Sequence, residues 1–371
     1  MPFIDLKSQY ALIKDEVAAG IEKVLESGQY IMGPEIGALE KELSAFTGVK
    51  HAITCSSGTD ALVMALMAKG IGAGDAVFTT PFTFVATAEA AALLGATPVF
   101  VDIEEETFNI SPELLKKAVE RTRIEGRLRP ACVIPVDLFG LPADYDAIME
   151  IAGESGLFVL EDAAQSFGGE YKGKKAGAMG HCAATSFFPA KPLGCYGDGG
   201  AIFTDDDELA DRLRSIRVHG QGKDKYENVR VGLNGRLDTL QAAILSPKLR
   251  LLAGEIEKRQ QVAQKYAKGL LGYAKTPEIP EGYVSAWAQY TIVTERREKL
   301  KEALGAAGVP TAVYYPIPLH LQKAFEGLGH KKGDYPASEW AADRVISLPM
   351  GPYLALEQQD YIITAVREAL A

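Results

Sequence analysis

The feature of this chain that most constrains its fold is an alternation of strand-like and helix-like segments between residues 51 and 245. Short apolar runs alternate with longer segments in which apolar residues recur at helical spacing. The pattern predicts helices at 59–69, 84–94, 112–121, 143–155 and 207–217, and strands at 76–80, 98–103, 131–136, 157–161, 183–188 and 200–204. Such an alternation is typical of α/β proteins, in which helices cover both faces of a mostly parallel sheet.

The two ends of the chain have other patterns. Residues 1–50 are predicted to be helical, and residues 236–270 are predicted to form one long helix. Beyond residue 282, the sequence predicts strands at 287–294 and 311–315 and helices at 296–306, 336–343 and 356–370. The length of 371 residues is enough for two domains. We therefore predict a large domain at 1–245, which includes the N-terminal helices, and a smaller α+β domain at 246–371, with the boundary within 245–280.

Composition excludes several classes of function. A net charge of -10 argues against nucleic acid or an anionic membrane as the default partner. No apolar run approaches the length of a membrane span, and the first residues lack a signal-peptide pattern, so we expect a cytoplasmic protein without membrane insertion. The 4 cysteines include no pair at metal-binding spacing, so we expect reduced thiols and no metal site.

Two residues suggest a specific chemistry. Lys191 lies in a loop between two predicted strands, and Asp162 follows the apolar strand predicted at 157–161. Both therefore lie where ligands bind on parallel sheets. A lysine amine can form a Schiff base with an aldehyde, and a partly buried aspartate can keep a pyridine nitrogen protonated. Because catalysis with pyridoxal 5'-phosphate (PLP) requires both groups, the pair predicts a PLP enzyme.

Each of these residues also has a simpler interpretation. A single loop lysine is usually solvated, and a single aspartate at this position would more often cap the following helix. The apolar residues on both sides of Lys191 and the glycine-rich stretch 197–200 favour a packed loop instead. Burial there would help to keep the amine unprotonated, as imine formation requires.

Further residues are candidates for binding the rest of the cofactor. The stretch 57–59 opens a predicted helix, where backbone N–H groups can bind a phosphate, although small polar residues there also serve as ordinary caps. Phe84 either stacks on the cofactor ring or belongs to the core, and the sequence leaves both interpretations open. Arginines at 214, 217, 230 and 236 are either a solvated face or clamps for carboxylate or phosphate.

Seven short motifs resemble the DegT/StrS-type sugar aminotransferases and occur in the order of that family. They lie at 57–62, 81–87, 161–166, 186–194, 197–200, 234–238 and 315–320. The resemblance implies a fold-type I PLP transferase of the aspartate aminotransferase kind. It further implies a central, mostly parallel seven-stranded sheet, activity as a homodimer, and PLP as cofactor with pyridoxamine phosphate as the intermediate form.

Roles for single residues are carried over from this resemblance by position. It implies that Lys191 forms the Schiff base, that Asp162 pairs with the pyridine nitrogen and that Gln165 bonds the cofactor 3-hydroxyl. Phe84 would stack on the ring. The residues implied to hold the phosphate are Gly58, Thr59 and Ser186, together with Asn234 from the neighbouring subunit. The resemblance thus implies that two subunits share each active site.

Runs at 3–7, 28–31, 191–198, 236–245 and 289–291 resemble one branch of the family. That branch transfers an amino group from L-glutamate to C3 of UDP-2-acetamido-2-deoxy-3-oxo-D-glucuronate in the synthesis of bacterial surface polysaccharide such as O-antigen. Arg236 would then clamp the sugar carboxylate and Tyr315 would line the sugar pocket, with Tyr30 and His320 as further substrate contacts. The branch places a histidine before this tyrosine, where the present chain has Tyr314.

Two other functions stay open at this point. One is amination at C4 of a 4-keto-6-deoxy sugar nucleotide, for which a carboxylate clamp at Arg236 is not needed. The other is a non-catalytic regulator that binds PLP without turnover. The sequence shows no basic arm or DNA-binding segment, which makes a regulator the less favoured hypothesis.

Overall fold

The computed structural model describes residues 1–224 and 226–371. In chain order the first elements are α1 (Leu6–Ser27), α2 (Pro34–Thr47), β1 (His51–Cys55), α3 (Gly58–Lys69), β2 (Asp75–Thr79), α4 (Ala86–Leu93), β3 (Thr97–Phe100), α5 (Pro112–Glu125), β4 (Arg129–Val133), α6 (Tyr145–Ser155) and β5 (Phe158–Asp162). They are followed by β6 (Glu170–Tyr171), β7 (Lys174–Lys175), β8 (Cys182–Ser186), β9 (Gly200–Thr204), α7 (Asp207–Ile216), α8 (Thr239–Leu270), β10 (Tyr283–Val284), β11 (Tyr290–Val293), α9 (Arg297–Ala306), α10 (Pro336–Arg344), β12 (Val345–Leu348) and α11 (Leu356–Leu370).

The centre of the molecule is a 7-stranded sheet with the strand order β1-β9-β8-β5-β4-β2-β3. Strand β9 is antiparallel to both of its neighbours, whereas the pairs from β8 through β5, β4 and β2 to β3 are parallel. Because β1 and β8 both run against β9, only β9 is reversed. The predicted α/β fold with a mostly parallel sheet is therefore confirmed.

Alternating side chains of the strands pack on helices at both faces of this sheet. Leu160 of β5 contributes to a core formed with α3, α4 and α7, while its neighbour Val159 packs against α5 and α6 on the other face. Successive strand residues point to opposite faces, so a strand covered on both sides is apolar throughout. The short apolar runs of the sequence have this property.

Helices begin and end where the sequence provides capping groups. Ser57, Asp144 and Asp206 accept hydrogen bonds from backbone N–H groups in the first turns of α3, α6 and α7. Helices α2 and α3 end at glycines in the left-handed conformation, Gly48 and Gly70. Within 1–224 and 226–371, no helix combines the length and the apolar character needed to cross a membrane.

The C-terminal part differs from the prediction in its strands. The stretch 311–315, expected to be a strand, makes only an isolated bridge at Ala312, to Ser347. Pro310 and Pro316 bracket this stretch, and proline cannot donate to a strand ladder. The partner of β11 is instead β12, which the sequence analysis did not predict, in an antiparallel pair from Tyr290–Leu348 to Val293–Val345.

Helix α8 runs through the predicted domain boundary. Its first half, including Leu245 and Leu252, packs with α2 beneath the large sheet. Its second half, including Tyr266 and Leu270, packs with β11, β12 and α11. One continuous helix therefore belongs to both cores, and the division into 1–245 and 246–371 stays a prediction.

Candidate active site

A cavity of about 450 Å³ lies where β5 and β8 end. All the cofactor contacts predicted from the sequence line it, apart from Asn234: Gly58, Thr59, Phe84, Asp162, Gln165, Ser186 and Lys191. Tyr315, predicted to contact the substrate, also lines it. The carboxyl ends of parallel strands thus bring together residues that are far apart in sequence.

Asp162 is the last residue of β5 and is only 6% exposed. Its Oδ2 accepts a hydrogen bond from the Thr87 hydroxyl at 2.8 Å, and its Oδ1 accepts one from the Ala164 N–H at 3.2 Å. Burial raises the pKa of this carboxyl, and the two donors and the Lys191 charge counter that shift only in part. A protonated ring nitrogen beside Asp162 would supply the missing counter-charge.

Lys191 enters the cavity from a tightly packed loop. Its backbone N–H donates to the Phe188 carbonyl at 2.9 Å, and the Cys195 N–H donates to the Phe187 carbonyl at 2.8 Å. A side chain at Gly194 would collide with the Pro189 carbonyl, so only glycine allows this closure. Burial lowers the pKa of the Lys191 amine, although the Asp162 carboxylate opposes the shift. The loop therefore presents an amine that loses its proton more readily than a solvated lysine.

The opposite end of the cavity is built from the start of α3. The Ser57 hydroxyl accepts from the Asp60 N–H at 3.0 Å. The other N–H groups in the first turn of an α-helix have no hydrogen-bond acceptor within the helix. A Cβ at Gly58 would come within 2.6 Å of the Ser186 Cβ, so the backbone and Ser186 already touch. Free N–H groups, the positive helix end and two hydroxyls form an anion site suited to a phosphate.

Between these ends lie an amide and two aromatic rings. The Gln165 Oε1 accepts from the Phe139 N–H at 2.8 Å, and its Nε2 lies 3.4 Å from the Tyr315 hydroxyl. The Phe84 ring is 54% exposed and its centroid lies 6.3 Å from that of Tyr315. An exposed ring on a cavity wall is available to stack on a planar ligand, whereas a core ring would be buried.

The donor set fits PLP. An amine of lowered pKa matches the aldehyde, a buried carboxylate of raised pKa matches the pyridine nitrogen, and the start of α3 matches the phosphate. These three groups line one cavity, which is the arrangement that the sequence analysis inferred from Lys191 and Asp162.

The other predicted contacts lie outside the lining of this cavity, as far as residues 1–224 and 226–371 define it. Tyr30 and Arg236 lie on two segments joined by an antiparallel bridge between Ile31 and Asp238. Asn234 is exposed on the preceding stretch. His320 is buried with its Nε2 3.0 Å from Glu339 Oε1. The contacts expected of these four side chains stay predictions.

Several lining residues were not among the predicted contacts, including Thr87, Asp198 and Gln289. Thr87 holds Asp162, and Asp198 and Gln289 form part of the wall. Each falls within a motif or run that carried the resemblance, at 81–87, 197–200 and 289–291. The motifs therefore indicated that these residues lie near the site. The hydrogen bond from Thr87 to Asp162, 75 positions away in the sequence, is visible only in the fold.

Comparisons with known proteins agree with this site. The chain matches the DegT/DnrJ/EryC1/StrS aminotransferase family over residues 11–367. It is 53% identical over 354 residues, which cover 95% of each chain, to the UDP-2-acetamido-2-deoxy-3-oxo-D-glucuronate aminotransferase of Pseudomonas aeruginosa. A crystal structure of a DegT/DnrJ/EryC1/StrS aminotransferase from Brucella abortus superposes with a TM-score of 0.98 at 52% identity and covers 100% of both chains.

A more distant structure bears on the cofactor. NtdA from Bacillus subtilis, solved with bound pyridoxamine phosphate, has a TM-score of 0.87 at 31% identity and covers 99% of this chain and 83% of its own. The predicted cofactor and the predicted transaminase class are thereby confirmed: the protein is a PLP-dependent sugar aminotransferase, with pyridoxamine phosphate as its second cofactor form. The family match and these similar structures agree with the α/β fold and with the cavity that contains Lys191 and Asp162. The chain therefore belongs to the DegT/DnrJ/EryC1/StrS aminotransferase family.

Proposed function

We propose that this enzyme transfers an amino group from L-glutamate to C3 of UDP-2-acetamido-2-deoxy-3-oxo-D-glucuronate, for bacterial surface polysaccharide. The observation that carries the reaction is the shared cavity of Lys191 and Asp162. The choice of sugar is supported by the 53% identity to the Pseudomonas aeruginosa enzyme of that name.

Two side chains carry the proton chemistry. Bound PLP supplies an electron-accepting ring and the carbon that exchanges the amino group. The Asp162 carboxylate keeps the proton on the ring nitrogen, which preserves the electron demand. The Lys191 Nζ would act as general base and acid, moving the proton between the substrate carbon and the C4′ carbon of the cofactor. Its packed loop keeps the amine at the cavity, where burial lowers its pKa.

Arg236 is the proposed clamp for the sugar carboxylate. Its Nε is buried and, among the described residues, has no hydrogen-bond partner. A buried guanidinium N–H without an acceptor is costly, so a ligand carboxylate would satisfy it. Tyr30 lies on the adjacent segment and Tyr315 lines the cavity itself, and both are proposed to contact the sugar nucleotide.

A homodimer with shared active sites would bring these groups to the cavity. Asn234, Tyr30 and Arg236 lie outside the cavity lining formed by the described residues, on segments that backbone bridges connect to neighbouring parts of the chain. The adjacent loop exposes large apolar side chains, Ile31 at 50% and Met32 at 41%. Exposed apolar residues next to polar side chains that do not line the cavity of their own chain support a second copy of the chain as the partner.

The test follows both half-reactions by absorbance. Holoenzyme is first treated with L-glutamate, which should remove the visible cofactor band, and then with either the 3-oxo-glucuronate nucleotide or its uncharged 3-oxo analogue. We expect the band to return with the carboxylate sugar and to return far more slowly with the analogue. Equal return with both sugars would contradict the proposed role of the carboxylate.

The same experiment separates the alternatives. A return of the band only with a 4-keto-6-deoxy sugar nucleotide would replace the proposed substrate and keep the enzyme class. Binding of PLP with no product from any keto sugar would instead indicate the regulator.

A further inference from the structure

A buried turn at 137–142 lies behind the cavity and carries an unusually well-satisfied carboxylate. Asp137 is 0% exposed. Its Oδ2 accepts from the Ser166 hydroxyl at 2.6 Å, and its Oδ1 accepts from the Tyr145 hydroxyl and the Ala143 N–H, both at 2.9 Å. Burial raises the pKa of Asp137, and these three donors counter the shift. None of the proposed chemistry uses this carboxylate.

A second buried side chain fixes the same turn from the other side. Asn109 is 2% exposed, and its Oδ1 accepts from the Leu138 N–H at 3.0 Å. Its Nδ2 donates to the carbonyls of Leu141 and Pro142 at 2.9 and 3.0 Å. The backbone of the turn is therefore held by side chains from two separate segments, so its conformation is fixed by more than its own sequence.

The turn contains a backbone conformation that non-glycine residues avoid. Phe139 has a φ of 59°, in the left-handed region. In this conformation its N–H donates to the Gln165 Oε1 at 2.8 Å. Because an N–H requires an acceptor, this bond defines which end of the amide is oxygen. The Nε2 group then faces Tyr315, 3.4 Å from its hydroxyl, at the cavity.

The turn also joins the C-terminal part of the chain to the cavity wall. The Ala286 N–H donates to the Gly140 carbonyl at 2.8 Å, and the Gln289 N–H donates to the Phe139 carbonyl at 3.4 Å. Gly140 has a φ of 105°, and a Cβ there would lie 2.6 Å from the Trp287 nitrogen. Gln289 itself lines the cavity. One turn thus fixes two cavity amides, Gln165 by its side chain and Gln289 by its backbone.

We propose that the turn 137–142 is a positioning element for transamination, and that Asp137 and Asn109 are the positioning residues that hold Gln165 against the cofactor. The inference rests on the proposed contact of Gln165 with the cofactor hydroxyl. In this proposal Asp137 and Asn109 act on Gln165 through the turn, and neither lines the cavity defined by the described residues. Phe139 transmits their effect through a single hydrogen bond.

The experiment measures the pH midpoint of the visible absorbance band of the holoenzyme, a property of the cofactor environment. The variants are Asp137→Asn, Ser166→Ala, Gln165→Ala and the double variant of Asp137→Asn with Gln165→Ala. The control, Ser347→Ala, removes another buried hydroxyl, which lies 2.8 Å from Thr291 in the small sheet. Melting temperatures show which variants keep the fold.

We expect Asp137→Asn and Ser166→Ala to move the midpoint in the direction of Gln165→Ala, while Ser347→Ala leaves it unchanged. The double variant should show no shift beyond Gln165→Ala alone, because residues that act through one another are not additive. Misplacement of a cofactor contact should lower kcat about tenfold in Asp137→Asn, with KM for L-glutamate within about twofold of wild type.

Either of two results with the Asp137→Asn substitution would overturn the proposal: an unchanged midpoint in the folded variant, or a shift of equal size whether or not Gln165 is present. If Asp137→Asn does not fold, Ser166→Ala decides, since it removes only one of the three donors. An unchanged midpoint in Gln165→Ala, with an enzyme that still responds to L-glutamate, refutes this inference alone. A wild-type holoenzyme that does not respond to L-glutamate refutes the proposed function instead.

Discussion

Burial acts in opposite directions on the two residues that define the site. It lowers the pKa of Lys191 and raises the pKa of Asp162, so each charged form is disfavoured. Bound PLP would offset both effects, because its aldehyde would take up the neutral amine of Lys191 and its pyridinium would pair with the Asp162 carboxylate. The cavity is thus electrostatically complementary to the cofactor, because PLP would relieve the cost of burying the Lys191 and Asp162 charges.

Replacement of Lys191 tests its role in proton transfer. We expect Lys191→Ala to lower kcat by about a hundredfold to ten-thousandfold, the usual contribution of a general acid and base. The control is Lys248→Ala, since burial also lowers the pKa of Lys248, to about 8, but Lys248 lies outside the cavity lining of the described chain. Rates are compared per folded, cofactor-bound protein, and similar losses in both variants would refute the assignment.

We expect the buried, ionised carboxylate of Asp162 to lower the free energy of unfolding of the protein without cofactor. Since burial raises its pKa in the folded state, the cost is present at pH values above that raised pKa and disappears as the carboxyl becomes protonated at lower pH. We therefore expect Asp162→Asn without cofactor to melt at a higher temperature than wild type at pH 7 and to lose this advantage in acid. The variant should also bind PLP more weakly. A lower melting temperature at pH 7 would contradict the account.

Arg236 tests the charge of the substrate. Loss of a charge-assisted bidentate contact should cost about 1.5–3 kcal/mol, which is roughly a tenfold to hundredfold loss of kcat/KM in Arg236→Ala for the carboxylate sugar. The uncharged analogue should lose far less. Arg214→Ala is the control, because Arg214 is paired with Asp211 on the surface. An equal loss for both sugars would indicate a structural arginine.

At this scale the sequence identified the residues whose chemistry is distinctive. A lysine and an aspartate at strand ends, followed by motif resemblance, were enough to predict Lys191 and Asp162. Thr87 was missed because a threonine in a helix has no distinctive chemistry until its hydroxyl is seen 2.8 Å from Asp162. Asn109, at a glycosylation-like sequence, likewise has no visible role before the turn 137–142 is known.

The start of α3 is the element with the sharpest steric constraint. A methyl group at Gly58 would meet the Ser186 Cβ at 2.6 Å, so the helix start would move away from the proposed phosphate. We expect Gly58→Ala to weaken PLP binding about tenfold, from an overpacking cost of about 1–3 kcal/mol. PLP affinity is measured by fluorescence titration.

A second glycine in a helix provides the control for that variant. Gly37 lies in α2, and no atom of the described residues would lie within 4 Å of a Cβ there. Gly37→Ala should stabilise the protein by about 0.5–1 kcal/mol and leave PLP affinity unchanged. If Gly58→Ala binds PLP as tightly as Gly37→Ala, the start of α3 is not the phosphate site.

How well the sequence predicted a strand depended on where that strand lies in the fold. Six strands of the large sheet, β2 to β5 together with β8 and β9, are short apolar runs and were predicted close to their observed bounds. The seventh strand, β1, was not predicted as a strand. Strand β12 was missed because four residues directly after α10 give too short a pattern. The stretch 311–315 was wrongly predicted as a strand, since its apolar residues gave a strand pattern, whereas the structure shows only the bridge at Ala312.

At the scale of the whole molecule, the proposed dimer predicts complementation between two inactive variants. Lys191→Ala removes the catalytic amine from its own cavity, whereas Asn234→Ala should impair the cavity of the neighbouring subunit. When the two purified variants are mixed and allowed to exchange subunits, each heterodimer should contain one intact site. We expect activity to appear in the mixture; its absence despite proven exchange would contradict shared active sites.

The sequence predicted the fold class and the central sheet of the molecule. It did not predict how the parts of the molecule connect. Alternation predicted the α/β sheet, and composition allowed two domains. It could not show that α8 contributes Leu252 to one core and Tyr266 to the other. Nor could it show that β10 pairs with β6, across more than 100 residues of sequence. Such contacts depend on the packing of distant segments.

Covalent trapping of the cofactor shows which lysine forms the Schiff base. Wild-type holoenzyme is reduced with borohydride, digested, and analysed by mass spectrometry for the lysine that carries the reduced cofactor. The account predicts the label on the peptide that contains Lys191 and none on that peptide after pretreatment with L-glutamate. A label on another lysine, or a label at Lys191 that L-glutamate does not remove, would contradict it.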